Sequence, residues 1–553
     1  MARGRTPGGS TSIGVTCLLA CVMAAGTHLP PAGAAGRPDR FLIGAWGIGK
    51  VGDPARLVRL NDAGIDYVQN WDLWGPGGTR LMVAQVESLQ VARPGFRLQA
   101  LLHSRMLSSD PAKISDPMMA GPDAVIRRRE LDPSRGINGP GVLGWFVWDE
   151  PCDRAQIDRY GRLSRTLATD PRSRDQLVFM NLLPLQEPDA SNCLDAYGSD
   201  RVSRYRAYVD AYLSQFDSLD VPAPILSMDM YPFQNESREG RAYFECLSIV
   251  RDKAAEYSRP GARIPLWVIV QSSSYVNASR HEHRTPTIPQ IRWQVWSALA
   301  YGAKGIAYWT AVPNWNEATR EGWGDGLLDA EGRPSAKYDA IRSLNRELHA
   351  LGPTLLELDA VTALHVKPGN QVGLDDAVLG SPRSIYNIVA GVEASSGRDD
   401  CLIGYLKHAR TGDDYLVIVN RSTEKDRSFR VTLTSPATAV ERISPSSGAP
   451  ERISLDGRSF TVPALTPGAG ALFRVQDGIE EYIPGVVAID DTGTLVTFSR
   501  NDARIQVDYR TGRRTVEFGT GGEGPGARAG ATPADRAAAP RFRATPLGIA
   551  KAR

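Results

Sequence analysis

Two features of this 553-residue sequence predict a (β/α)8 barrel followed by a small antiparallel β-sandwich. Between residues 38 and 357, eight short apolar runs alternate with segments of helical periodicity. After residue 358 the helical periodicity stops, and short β-patterned runs separated by Gly, Ser and Pro take over. A third feature favours a closed barrel over an open doubly wound sheet. The glycines after the first strand, Gly44, Gly47 and Gly49, lack the Gly-x-Gly-x-x-Gly spacing of a phosphate-binding turn.

In chain order, residues 1–34 read as a signal peptide. Arg3 and Arg5 supply a positive region, Ile13 to Ala25 an apolar stretch, and Ala32-Gly33-Ala34 a small-residue cleavage site. The apolar stretch is too short to span a bilayer, and no later segment approaches that length. Leu18-Leu19-Ala20 before Cys21 offers the alternative of a lipid anchor. Either reading places the chain outside the cytoplasm, secreted, periplasmic or at the cell surface.

The eight apolar runs are Phe41–Trp46, Ile65–Gln69, Arg97–Leu102, Val142–Trp148, Leu177–Asn181, Ala223–Asp229, Pro265–Gln271 and Gly305–Thr310. Between them, Leu57, Val58 and Leu60 share one side of a helix opened by Pro54. Ile157, Tyr160 and Leu163 repeat the pattern, and Arg292–Tyr301 and Tyr338–Leu351 read likewise. Residues 358–477 carry the sandwich, with runs starting at Tyr415, Phe429, Phe460 and Ala471. Residues 478–518 add further strand-like runs, and 519–553, rich in Gly, Ala, Pro and Arg, lack the periodicity to build a core.

Sixty-four basic and 62 acidic side chains leave a net charge of +2, without the basic excess a nucleic-acid partner requires. Of six cysteines, Cys17 and Cys21 fall in the leader. The remaining four, Cys152, Cys193, Cys246 and Cys401, form no Cys-x-x-Cys pair, so neither a metal nor a cofactor is expected. Cys152 and Cys193 follow neighbouring strands and make the preferred disulfide in an oxidising compartment.

Catalytic groups of a (β/α)8 barrel sit where strands end. The eight runs close on Trp46; on Gln69, leading to Trp71 and Asp72; on Leu102, leading to His103; on Trp148-Asp149-Glu150; on Asn181; on Asp229, leading to Tyr231; on Gln271; and on Trp309. All eleven tryptophans lie between Trp46 and Trp323, many at strand ends, where an indole face can stack on a sugar ring. Glu150 closes an apolar strand, where desolvation raises a carboxyl's proton affinity to suit a general acid. One helix cap does not account for two adjacent carboxylates, and both face the lumen only if the strand bulges.

Trp148-Asp149-Glu150-Pro151 resembles the strand-four signature of the clan A barrel glycoside hydrolases, whose acid/base is a strand-four Glu. Asp229-Met230-Tyr231-Pro232 and the stretch from Gln294 to Trp309 are similar to poorly characterised secreted barrels akin to family 42. The resemblance covers roughly residues 41–365. It implies a carbohydrate substrate, Glu150 as acid/base and Asp149 as a holder of a sugar hydroxyl. The sequence departs from the clan at strand seven, where a Glu nucleophile is replaced by Gln271. Three groups could partner Glu150: Asp149, as in families built on adjacent Asp-Glu residues that use a 2-acetamido substrate; Asp229, opposite on strand six; and Glu282, folding back from the loop after strand seven. An exported glycoside hydrolase acting on a polysaccharide or oligosaccharide, with Glu150 as general acid/base, is therefore the leading expectation. A catalytically inactive carbohydrate-binding barrel of the cell surface is the alternative.

Overall fold

The computed structural model describes residues 38–48, 53–69, 76–103, 139–151, parts of 154–165, 176–185, 193–216, 225–234, 241–259, 263–276, 282–324, 326–367, 371–375, 385, 388–394, 401–476, 488–489, 495–500, 503–508 and 513–518. Eight strands form a closed parallel barrel. They are β1 (Leu42–Trp46), β2 (Tyr67–Gln69), β3 (Gln99–His103), β4 (Val142–Asp149), β5 (Leu177–Leu182), β6 (Ile225–Asp229), β7 (Leu266–Gln271) and β8 (Gly305–Trp309). Each pairs with the next in sequence, and β8 closes on β1 with Leu42 opposite Gly305 and Trp46 opposite Trp309. All eight predicted strands are present in the predicted order.

Alternation along the strands separates two cores. Leu42, Trp46, Tyr67, Leu101, Phe146, Phe179, Trp267 and Ile269 fill the lumen. Ile43, Val68, Leu102, Val178, Leu226 and Val270 point outward to the helices. The lumen is aromatic, and two glycines make room for it. A Cβ on Gly44 would stand 2.1 Å from the Tyr67 ring, and one on Gly305 would stand 2.7 Å from the Trp267 indole. Those two rings stack at 5.4 Å.

The helices start where the sequence offers caps. In α1 (Pro54–Asp62), Asp53 accepts the Ala55 N–H at 3.0 Å and Pro54 takes the first turn, where no N–H is needed. Leu57 and Leu60 are buried, as predicted, with Val58 at their edge. Helices α2 (Pro76–Ala92), α3 (Arg201–Leu213) and α4 (Arg241–Tyr257) follow. Helix α5 (Ile288–Ala300) opens with a Thr287–Gln290 capping box. Helix α6 (Tyr338–Leu356) runs past the predicted end because its apolar stripe continues through Leu351 to Leu355.

Leu358–Lys367 follows α6 directly and belongs to a seven-stranded antiparallel sheet. One face of this sheet, with Leu402, Leu406, Val417, Val419 and Leu472, packs onto the barrel helices. The other face, with Ile403, Leu416, Ile418 and Phe473, meets Phe429, Val431, Phe460 and Val462 of a four-stranded sheet. Four further strands between Ala488 and Phe518 form a sheet of their own. Among the described residues no helix is long and apolar enough to cross a membrane. Cys246 and Cys401 are buried. The leader 1–34, the Cys152–Cys193 bridge and the segment 519–553 lie outside the described residues.

Candidate active site

The end of β4 owes its shape to two backbone departures. Phe146 pairs with Phe179, but the next pairs are Trp148 with Met180 and Asp149 with Asn181, so β4 carries one extra residue. This bulge moves Asp149 into register with the inward-facing Asn181. Glu150 then adopts φ +48°, in the left-handed region that non-glycine residues seldom enter. Its N–H donates to the Asn181 carbonyl at 2.9 Å. A regular strand would send consecutive side chains to opposite faces. The bulge and the left-handed turn bring both carboxyls to the barrel mouth. A backbone held in this region costs on the order of 1–3 kcal/mol and clusters at functional sites.

Buried residues hold the pair. Asn181 Nδ2 donates to Asp149 Oδ1 at 3.1 Å, and Ser227 Oγ donates to Asn181 Oδ1 at 3.0 Å, which fixes the amide with its NH2 toward the carboxyl. From α3, the Tyr208 hydroxyl donates to the Pro151 carbonyl at 2.9 Å and accepts the Leu183 N–H at 3.1 Å. It ties the turn after β4 to the turn after β5. Asp229 closes β6 within hydrogen-bonding reach of Glu150, and the Tyr231 hydroxyl donates to Asp229 Oδ2 at 3.4 Å.

All three carboxyls hold their protons above the ordinary range. Burial pushes Glu150 up to about 7, opposed by the hydrogen bond with Asp229. Asp149 is raised by burial and then by the charge of Glu150, against the stabilising Asn181 amide. Asp229 is raised by burial and then by the charges of Glu150 and Asp149. Asp149 and Asp229 are each raised in part by their neighbours, so the titrations are linked.

Aromatic rings wall the mouth. Trp309 stands 6.4 Å from Tyr231 in a stacked arrangement and 5.0 Å from Trp323, and the Trp309–Thr310 peptide is cis. A small four-stranded sheet lies alongside, built from Asn314–Asn316, Glu321–Trp323, Tyr275–Val276 and Glu282–His283. Cross-strand pairing puts Trp323, Tyr275 and His283 on one face. That face meets the site, since His283 packs edge-on to Tyr231 at 5.9 Å.

The structure sorts the sequence-derived candidates. Asp149, Glu150, Asn181, Asp229, Tyr231 and Trp309 converge. Trp46 is a correction: only 1% exposed, it packs under Trp309 against Phe146, as floor beyond a ligand's reach. Gln271 is a second. Its amide is spent on main chain, accepting from Phe233 N–H at 3.0 Å and donating to the carbonyls of Phe233 at 3.2 Å and Arg284 at 2.8 Å. It braces two loops. Glu282 is a third: it pairs with Val276 on the face of the small sheet opposite Tyr275, and is exposed. Trp71, Asp72 and the side chains of His103 and Trp148 lie outside the described residues. Ser227, Tyr208, Tyr275 and Trp323 were not read from the sequence. Ser227 had a signal, the period-two position between Ile225 and Asp229. Tyr208 had none, being one tyrosine among several on α3.

The fold and site define a (β/α)8-barrel protein with a proton-holding carboxyl trio at its mouth. No protein-family model matches the chain, and no curated protein matches it. The solved structures it is similar to include β-galactosidases, xylanases and a chitinase. A β-galactosidase from Bacillus circulans sp. alkalophilus is 9% identical with a TM-score of 0.43, over 79% of this chain and 99% of that one. A family 42 β-galactosidase from G. stearothermophilus is 8% identical with a TM-score of 0.41, over 80% of this chain and 99% of that one. A β-galactosidase from the psychrophilic Marinomonas ef1 is 12% identical with a TM-score of 0.37, and the match spans 56% of this chain and 60% of that one. The fold assignment rests on the strand pairing above, and these likenesses say nothing of substrate.

Proposed function

We propose that the chain is an exported glycoside hydrolase in which Glu150 protonates the leaving oxygen. The observation that carries this reading is the placement of Glu150. Its left-handed turn at the end of β4 brings it to Asp229, where it keeps its proton up to about 7 beneath an aromatic wall. A general acid near neutral pH needs that proton affinity. Asp229, at the end of β6 beside Glu150, is the candidate partner: as nucleophile if the two carboxyls lie about 5–5.5 Å apart, as base for a water if about 6.5–9.5 Å apart. The attacking group is Asp229 itself, a water whose proton the ionised Asp229 takes, or the substrate's own 2-acetamido carbonyl oriented by Asp149. Attack by water inverts the anomeric centre, and the amide carbonyl retains it. Export is supported by the leader-like composition of residues 1–34 and is tested by the N-terminal sequence of the protein recovered outside the cell.

The test is a series of aryl glycosides of graded leaving-group pKa, with wild type and Glu150→Gln. An acid role predicts a loss that grows as the leaving group worsens. A uniform loss, or none, rejects it. One observation favours the second reading, an inactive carbohydrate-binding barrel: the end of β7 presents an amide locked onto main chain in place of an ionisable group. Saturable sugar binding without turnover across the panel would establish that reading instead.

A further inference from the structure

The small sheet beside the mouth has a composition that its structural role does not require. Asn314, Trp323, Tyr275 and His283 are successive cross-strand partners, so their side chains form one row across four strands. At about 4.8 Å per strand the row is about 14 Å long, more than one sugar ring. Its inner end adjoins the carboxyl trio. His283 packs on Tyr231, Trp323 packs on Trp309, and the Tyr275 hydroxyl feels the charges of Glu150, Asp149 and Asp229. Its outer end is open, with Asn314 and Asn316 exposed and Glu321 half-buried opposite Asn316. A hairpin that merely covered the barrel would place apolar residues on this face. Instead, aromatic faces alternate with amide, hydroxyl and carboxyl groups, the mixture that holds a sugar by stacking and orients it by hydrogen bonds.

Resting on the glycosidase reading, we propose that this row is the extended subsite that holds the sugars of an oligosaccharide or polysaccharide beyond the cleaved bond, and that it favours uncharged sugars. The charge preference follows from the neighbours. Glu321 lies on the face of the row, opposite Asn316, and a uronic acid laid along the row would face its carboxylate.

The experiment measures kcat/KM of the full chain on ladders of gluco-, galacto- and N-acetylglucosamine oligosaccharides from disaccharide to pentasaccharide. Oligogalacturonides serve as the anionic probe. The subsite predicts at least a tenfold rise along the ladder of whichever sugar is cleaved. It also predicts that Trp323→Ala and Asn314→Ala each flatten that rise. Asn314 is exposed, so its variant keeps the test valid should Trp323→Ala fold poorly. A flat wild-type ladder, or a rise that both variants retain, overturns the subsite while leaving the glycosidase reading standing. Oligogalacturonides cleaved or bound as well as neutral ladders overturn the charge preference. No turnover or binding of any member overturns both readings.

Discussion

Replacing Glu150 by Gln should slow cleavage most where the leaving group is poor, and should stabilise the fold at alkaline pH. In the folded chain Glu150 keeps its proton up to about 7, against an ordinary value of 4.5. Between those values the folded state binds a proton that the unfolded state has released, so stability falls as pH rises through that window. At about 1.4 kcal/mol per pH unit, a gap of that size amounts to about 3 kcal/mol at pH 8 and above. Gln has the same shape, carries no charge and leaves the left-handed backbone as it is. It weakens the hydrogen bond with Asp229, worth about 1 kcal/mol. The expected net gain is therefore about 2 kcal/mol at pH 8, shrinking to zero or slightly below at pH 4.5. Urea unfolding of both proteins at the two pH values reads the difference directly. Equal stability at pH 8, or a difference that does not change with pH, would refute the assignment of Glu150 as a desolvated, proton-holding carboxyl.

Four other outcomes follow from the same geometry. The kcat/KM of the wild type should fall as pH rises past about 7, because the acid form of Glu150 is lost there; a profile flat to pH 9 would contradict it. Gln271→Glu should restore no hydrolytic nucleophile and should cost about 3 kcal/mol or more, since a carboxylate there would face the carbonyls of Phe233 and Arg284; chemical denaturation and an activity assay check both halves. Gly44→Ala should cost about 1–3 kcal/mol by driving a methyl into Tyr67, visible as a lower unfolding midpoint. Tyr208→Phe should cost about 1–3 kcal/mol, leaving the buried Leu183 N–H without its acceptor, and should lower kcat more than it raises KM because the turn carrying Glu150 loosens.

Eight apolar runs with helical spacing between them define a barrel almost uniquely, so β1 to β8 were legible in order. The doublet Asp149-Glu150 marked β4, and the demand that both face inward anticipated the bulge. Residues whose role depends on what a loop does after leaving the barrel stayed hidden. Gln271 stands at an inward position, yet its amide turns to the main chain of Phe233 and Arg284. Only the path of those loops decides that. Glu282 and Tyr275 belong to one small sheet, and register alone places one away from the site and the other toward it. Two-residue strands carry too little periodicity to reveal register.

Helix α5 limits any attempt to work with the barrel alone. Its Gln294 clamps the main chain of Gln271 at the end of β7, while its Trp296 and Ala300 are covered by Gly470 and Gly404 of the seven-stranded sheet. The same short helix thus serves as wall for one domain and foundation for the other. A protein cut after Leu356 would present Trp296, the outer side of α5 and their neighbours to water. The barrel is accordingly not an excisable cassette, and graft or truncation designs must carry the sheet with it or resurface α5 first.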